Sequence, residues 1–230
     1  MQRPFYMTLR LLINNNNNNN NNNGLHRSDM LQAIRDRAPE LFSYCYTAYA
    51  HPSMLFYGSD VVMSQEGTQQ GDPLGPLLFS NTLQPLLQSL VSVLALGYLD
   101  DVTLGGSIDI VAADVQTIIA QGEAMGLCLN NMKCEIIIAY QQTVITDRTL
   151  CSFSRVAIED ATLLEAPLFA GRVLDEAWAS RCSELSRAAD RLQLTCAQDA
   201  LILLRALFSA PRVQHLMRCS PSVDNPALAD

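Results

Sequence analysis

Two aspartates, Asp100 and Asp101, stand side by side inside the string GYLDDVTLGG at Gly97–Gly106. Adjacent carboxylates repel and raise each other's pKa. A divalent cation reverses that penalty. Hard oxygen ligands presented at a tight turn suit Mg²⁺, which keeps several waters and is completed by substrate phosphates. Taken alone, the pair reads equally as a solvated turn. Its flanks weigh against that, because both are apolar and β-rich, and a strand–turn–strand would hold the pair rigidly. A second string with chemical potential is QGDPLGPLLFS at Gln70–Ser80. Gly71 and Gly75 allow a backbone to come close to a ligand. Asp72 is expected to be an N-cap and Pro73 a first helical residue.

The elements that must position these residues follow from period and punctuation. Ser28 is expected to cap a helix from Asp29, with Met30, Leu31 and Ile34 on one face. Pro39 interrupts it and opens a second helix carrying Leu41, Phe42, Cys45, Tyr46 and Tyr49. MLFYGSDVVMS reads as a hairpin turning at Gly58-Ser59-Asp60. The helix after Pro73 carries Leu77, Leu78, Leu83 and Leu86, with a kink expected near Pro85. Ile108 to Met125 has a helical period, ended by Gly126 as its C′ residue. CEIIIAY reads as a buried strand, and ATLLEAPLF as a further strand or hairpin. Asp175 to Leu194 is amphipathic, with Trp178, Cys182, Leu185, Ala189 and Leu192 on one face. Ala197–Phe208 and Val213–Met217 complete the helices. The fold class expected is α+β: an antiparallel sheet with helices packed on one face.

Composition narrows the function. With 49% hydrophobic and 17% charged residues in 230, the chain can bury a real core. Its net charge is −8, so no bulk basic field holds a nucleic-acid partner. The seven cysteines are scattered, with no Cys-x-x-Cys pair, which argues against zinc and for reduced thiols in a nuclear or cytoplasmic, non-secreted setting. The longest apolar run, LVSVLALGYL, is about half of what a membrane span requires.

Three strings now stand in a telling order: EGTQQGDPLGPLLFS, GYLDDVTLGG and GLCLNNMKCEIII. Together they resemble the palm of reverse transcriptases, most closely those of non-LTR (LINE-type) retrotransposons. The segment from Gly24 to Gly58 resembles the stretch between the first two catalytic motifs, and DALILLRALFSAPRVQHLMRCSP the stretch after the palm. The resemblance implies a right-hand polymerase palm with a ferredoxin-like sheet, partial fingers and the start of a helical thumb. It implies RNA-directed DNA polymerase activity on an RNA template, a DNA primer and deoxynucleoside triphosphates, with Mg²⁺ or Mn²⁺. Asp100 matches the motif C aspartate that binds the catalytic metals, Asp101 its acidic neighbour, and Tyr98 the opening of the Tyr-x-Asp-Asp box. Gln70, Gly71, Asp72 and Pro73 match the motif B loop along template base and nucleotide. Lys133 matches the motif D lysine at the pyrophosphate leaving group, the other reading being a surface lysine at a strand entry. Lys133 is the only lysine beside 14 arginines, as expected where a protonatable amine matters.

One expected group is missing. The family's second metal-binding aspartate, in motif A, belongs several residues before a string like Gly24-Leu25-His26-Arg27. Ten asparagines, Asn14–Asn23, occupy that place. Counting back from Arg27 puts the aspartate at Asn17; counting forward from Ile13 puts it at Asn14. The aromatic gate against the ribose 2′-hydroxyl falls near Asn22. Asparagine matches aspartate in shape but cannot offset dication charge. Glu165, in LLEAPLF, stands where this group usually has glycine. The expected organisation is 1–13 as a remnant of the first palm strand, 14–23 as a low-complexity tract, 24–150 as palm with partial fingers, and 151–230 as palm end and thumb-like helices. Catalysis by this copy is expected to be impaired; the alternative is a non-catalytic remnant acting as a folded binding module.

Overall fold

The computed structural model describes residues 5–10, 24–69, 71–138, 145–205 and 210–221. The asparagine tract, Gln70 and the end of the expected Ala197–Phe208 helix lie outside them. The chain divides into two compact units, Met1–Arg155 and Val156–Asp230.

The first unit is built on a five-stranded sheet. Its strands are β1 (Phe5–Arg10), β4 (Leu94–Tyr98), β5 (Asp101–Gly106), β6 (Glu135–Ile137) and β7 (Ser154–Val156), in the order β4-β5-β1-β6-β7. β1 runs antiparallel to both β5 and β6, and β4 is antiparallel to β5. The central strand is therefore β1. It falls within residues 1–13. A separate hairpin joins β2 (Ser53–Tyr57) to β3 (Asp60–Ser64).

The longer helices of this unit are α1 (Arg27–Arg37), α2 (Pro39–Tyr49), α3 (Gly75–Ser89) and α4 (Ile108–Ala124). They share one core with the sheet. Met30 and Ile34 of α1, Cys45 and Tyr49 of α2, Leu78, Leu83 and Leu86 of α3, and Val111, Val115 and Ile118 of α4 are buried with Val102 and Leu104 of β5. Val102 and Leu104 are two apart and so share one face of the strand. Burying each such side chain is worth about 1.5–3 kcal/mol. Gly126 ends α4 at φ +84°, where a Cβ would lie 2.4 Å from the Gly24 carbonyl oxygen. Only glycine fits both the angle and the space.

Two helix starts differ from the sequence reading. α1 begins at Arg27, ahead of Ser28, and His26 precedes it without a side-chain cap. α3 begins at Gly75, after Asp72 and Pro73, because Asp72 spends its carboxylate on a turn. Its Oδ1 accepts from the Leu74 N–H at 2.8 Å, and its backbone carbonyl accepts from Gly75 N at 3.0 Å. That is an Asx-turn, a local competitor of the helix. Pro85 lies within α3 without ending it. Lacking an N–H, it leaves the carbonyl four residues back unpaired. The Arg37 guanidinium of α1 reaches that carbonyl, Asn81 O, at 3.1 Å, and Gln84 Oε1 at 2.8 Å.

The second unit contains a small hairpin, β8 (Thr162–Leu163) and β9 (Ala166–Pro167), and the helices α6 (Arg172–Leu192), α7 (Ala197–Leu203) and α8 (Ala210–Cys219); the one-turn α5 (Arg148–Cys151) belongs to the first unit. Its core is small: Leu174, Trp178 and Leu216, flanked by Ala177 and Val213. The apolar stripe expected along α6 is only partly used. Leu174 and Trp178 are buried, Cys182, Leu185 and Leu192 are half-buried, and Ala189 is exposed. The hairpin turns on Leu164 and Glu165, at φ +49° and +67°. Among the described residues, no helix is long and apolar enough to cross a membrane.

Candidate active site

The two-residue turn Leu99-Asp100 joins β4 to β5. Register places Tyr98 opposite Asp101 at the mouth of the hairpin, and Arg10 of β1 opposite Asp101 on the other side. Leu99 takes φ +52°, while Asp100 is not in the left-handed region. Positive φ at the first central position alone is the type II′ pattern, which matches strand twist but favours glycine there. A leucine held so costs about 1–2 kcal/mol. Strain of this kind tends to gather at functional sites.

A cavity of about 420 Å³ opens between this turn and the loop before α3. Leu99 and Asp100 form one wall. Thr68, Gln69, Gly71 and Asp72 form the other, and Gly75, Pro76 and Phe79 of α3 lie at its base. Gly71 sits at φ +89°, a conformation that any side chain would strain.

The loop wall is held from behind. The Tyr49 hydroxyl donates to Asp72 Oδ2 and accepts from Gln69 N at 3.3 Å. Gln69 Nε2 donates to Ser53 Oγ at 2.9 Å. Tyr49 is 1% exposed, and burial, reinforced by the bond to Asp72, pushes its phenol up to about 12. Arg27 donates to Gly67 O at 3.1 Å, Ser64 O at 2.9 Å, Ser64 Oγ at 2.8 Å and His51 O at 3.4 Å. Its guanidinium carbon lies 5.3 Å from the centre of the Tyr49 ring. Burial lowers the pKa of this guanidinium, and the neighbouring Glu66 charge opposes the shift.

Of the residues singled out in the sequence, Gly71, Asp72 and Asp100 therefore meet around one space. Asp101 and Tyr98 flank that space on the hairpin, and Tyr98 is largely exposed. Pro73 is exposed in the turn before α3. Gln70 lies outside the described residues. Lys133 is exposed at the end of a 3₁₀ turn, Asn131–Lys133, which Asn130 caps through its side chain. Lys133 does not line the cavity. The Thr8↔Glu135 pairing nonetheless brings the start of β6 to the same end of the sheet as Arg10 and Asp101.

A pair of divalent cations needs carboxylates from more than one strand. Asp100 and Asp101 offer two on a single hairpin. Among the described residues, no three His, Cys, Asp or Glu side chains gather to hold a metal ion. The described donor set fits one side of such a site and not the whole.

Arg27 and Tyr49 did not stand out in the sequence as functional. One signal was there: an arginine at the first position of a helix opposes the helix dipole, so another interaction must hold it. The partners lie 20 to 40 residues away and carry no local pattern.

A comparison with curated proteins finds no match. The family profile for reverse transcriptase (RNA-dependent DNA polymerase) matches residues 31–161. That span runs from α1 through the loop, the Asp-Asp hairpin, α4 and β6 to the start of the second unit. By that match across more than half its length, the chain belongs to the reverse transcriptase family.

Proposed function

We propose that the first unit is the palm of a LINE-type reverse transcriptase, and that this copy is catalytically impaired. The sheet order supports the palm. Setting β7 aside, the four strands run second, third, first, fourth in chain order, with helices between, which is the βαββαβ ferredoxin-like pattern. The reaction would be RNA-templated addition of a deoxynucleotide to a primer 3′-hydroxyl.

One observation carries the reading: Asp100 and the Gly71-Asp72 loop line the same cavity. The loop would lie along the incoming nucleotide and its template base. Asp100, with Asp101 beside it, would hold a divalent cation near the triphosphate. When bound, Mg²⁺ or Mn²⁺ supplies charge neutralisation for the attacking and leaving oxygens. Lys133 would act on the leaving pyrophosphate only if its side chain swings in from the sheet end.

Impairment is inferred from Asn14–Asn23 standing where the opposing aspartate belongs. Losing even about 4 kcal/mol of transition-state stabilisation lowers the rate roughly a thousandfold. A non-catalytic remnant that keeps the fold is the second reading, favoured by the one-sided carboxylate set. Primer extension on an RNA template, with Mg²⁺ and then Mn²⁺, compared with Asp100→Ala, separates them. Slow extension abolished by Asp100→Ala supports the impaired polymerase. Extension unaffected by Asp100→Ala refutes the assignment of the site.

A further inference from the structure

Arg27 and Tyr49 stand behind the cavity wall. Arg27 is 7% exposed and Tyr49 1%, so neither is placed to contact solvent-borne ligand. Between them they fasten the Gly67–Asp72 loop at both ends. At Gly67, Arg27 Nε takes the carbonyl at 3.1 Å, while the Gly67 N–H donates to Leu25 O at 2.8 Å. At Gln69 and Asp72, the Tyr49 hydroxyl serves as acceptor and donor at once. The Arg27 guanidinium lies against the Tyr49 ring, so the two anchors are one packed pair. Arg27 also ties in Ser64, the last residue of β3, through two bonds.

A glycine-containing loop is otherwise costly to order. Fixing it before a ligand arrives removes that penalty from binding. We propose that Arg27 and Tyr49 are positioning residues for nucleotide binding: they hold the wall formed by Thr68, Gln69, Gly71 and Asp72 preformed for the base and sugar of a deoxynucleoside triphosphate. The inference rests on the cavity being the nucleotide site. The anchoring group on Tyr49 is its hydroxyl, since the ring packs in the core either way. On Arg27 it is the fork of donors, because a lysine in its place keeps the charge but cannot span four oxygens.

The test uses the full chain with Tyr49→Phe and, separately, Arg27→Lys. Hydrogen exchange is read on the peptide covering residues 66–75. Binding of a fluorescent deoxynucleoside triphosphate is titrated in Mg²⁺. Asp114→Ala serves as the comparison, because Asp114 bonds Val91 and Ser92 and does not touch the loop. It reports what loss of stability alone does. Both positioning variants should exchange faster at residues 66–75 and weaken the triphosphate by about tenfold, the scale of one lost hydrogen bond. Asp114→Ala, at a matched fall in melting temperature, should do neither. Unchanged loop exchange in both variants overturns the inference. So does faster exchange with undiminished binding, which leaves the cavity assignment standing. A parent chain that binds no triphosphate overturns the cavity assignment, and the inference falls with it. If Tyr49→Phe does not fold, Arg27→Lys decides.

Discussion

Replacing Glu165 by glycine should stabilise the second unit. Glu165 is the second residue of the β8–β9 turn and takes φ +67°, next to Leu164 at φ +49°. Both central residues are thus left-handed, the type I′ pattern, in which Asn-Gly is preferred. An L-residue in that region costs about 1–2 kcal/mol. Glycine removes the cost, but its freer unfolded chain gives back about 0.4–1 kcal/mol. The net gain is then about 0.5–1 kcal/mol. The Glu165 side chain is exposed, so little packing is lost with it. The hairpin is tied to the core of this unit: the His215 ring Nε2 bonds Leu164 O at 2.9 Å, and Leu216 beside it packs with Trp178. Trp178 is the single tryptophan of the chain, so its fluorescence reads unfolding of this unit alone. Urea titrations of the parent, Glu165→Gly and Glu165→Ala should place only the glycine variant at a higher midpoint, with slopes unchanged. Alanine keeps the strain and should gain nothing. If alanine stabilises as much as glycine, the cause is loss of the carboxylate and not backbone relief. If glycine stabilises neither, the turn is not strained as argued.

Three more outcomes are expected. Asp114 is 3% exposed and accepts from Val91 N, Ser92 N and Ser92 Oγ; Asp114→Ala strands these donors and should lower stability by about 3 kcal/mol, read as a fall in melting temperature of the first unit. The Tyr49 phenol ionises near 10 when unfolded and at about 12 in the fold. A raised pKa favours the neutral form, so this contribution is whole below pH 10 and is lost as pH climbs towards 12. The stability gap between the parent and Tyr49→Phe should therefore narrow by up to about 3 kcal/mol over that window, and a gap constant with pH counts against it. Asp at Asn17 alone should raise primer extension little, because catalysis needs a ligand held within about 0.5 Å; replacing Asn14–Asn23 by a family-like strand and turn with an aspartate and an aromatic gate should raise it far more, and equal gains would sink the argument.

What was legible in the sequence was whatever a local pattern encodes. The Asp-Asp hairpin, α4 with Gly126 after it, and the turn at Gly58-Ser59-Asp60 are each set by residues within a few positions of one another, and the structure places all three within a residue of the reading. Pairwise chemistry over distance was not legible. Asp72 read as a helix cap because Pro73 follows it; in the fold one of its oxygens closes the local turn that moves the helix start to Gly75, and the other belongs to Tyr49, 23 residues back. Pro85 read as a kink; the carbonyl it orphans, that of Asn81, finds Arg37, 44 residues earlier. Glu165 read only as a departure from the resemblance, and the backbone angle supplies a physical reason for glycine there. The same logic governs the candidate site. A dyad on one hairpin can be recognised by its own string, whereas the carboxylate that would complete it must come from another strand. Under the proposed reading β1 would be that strand, since Arg10 stands opposite Asp101. On that reading the opposing carboxylate would come from the residues that follow Arg10, and ten of the next thirteen are asparagine. Under the proposed two-metal reading, a neutral amide at that place would supply an oxygen without the charge the ions require.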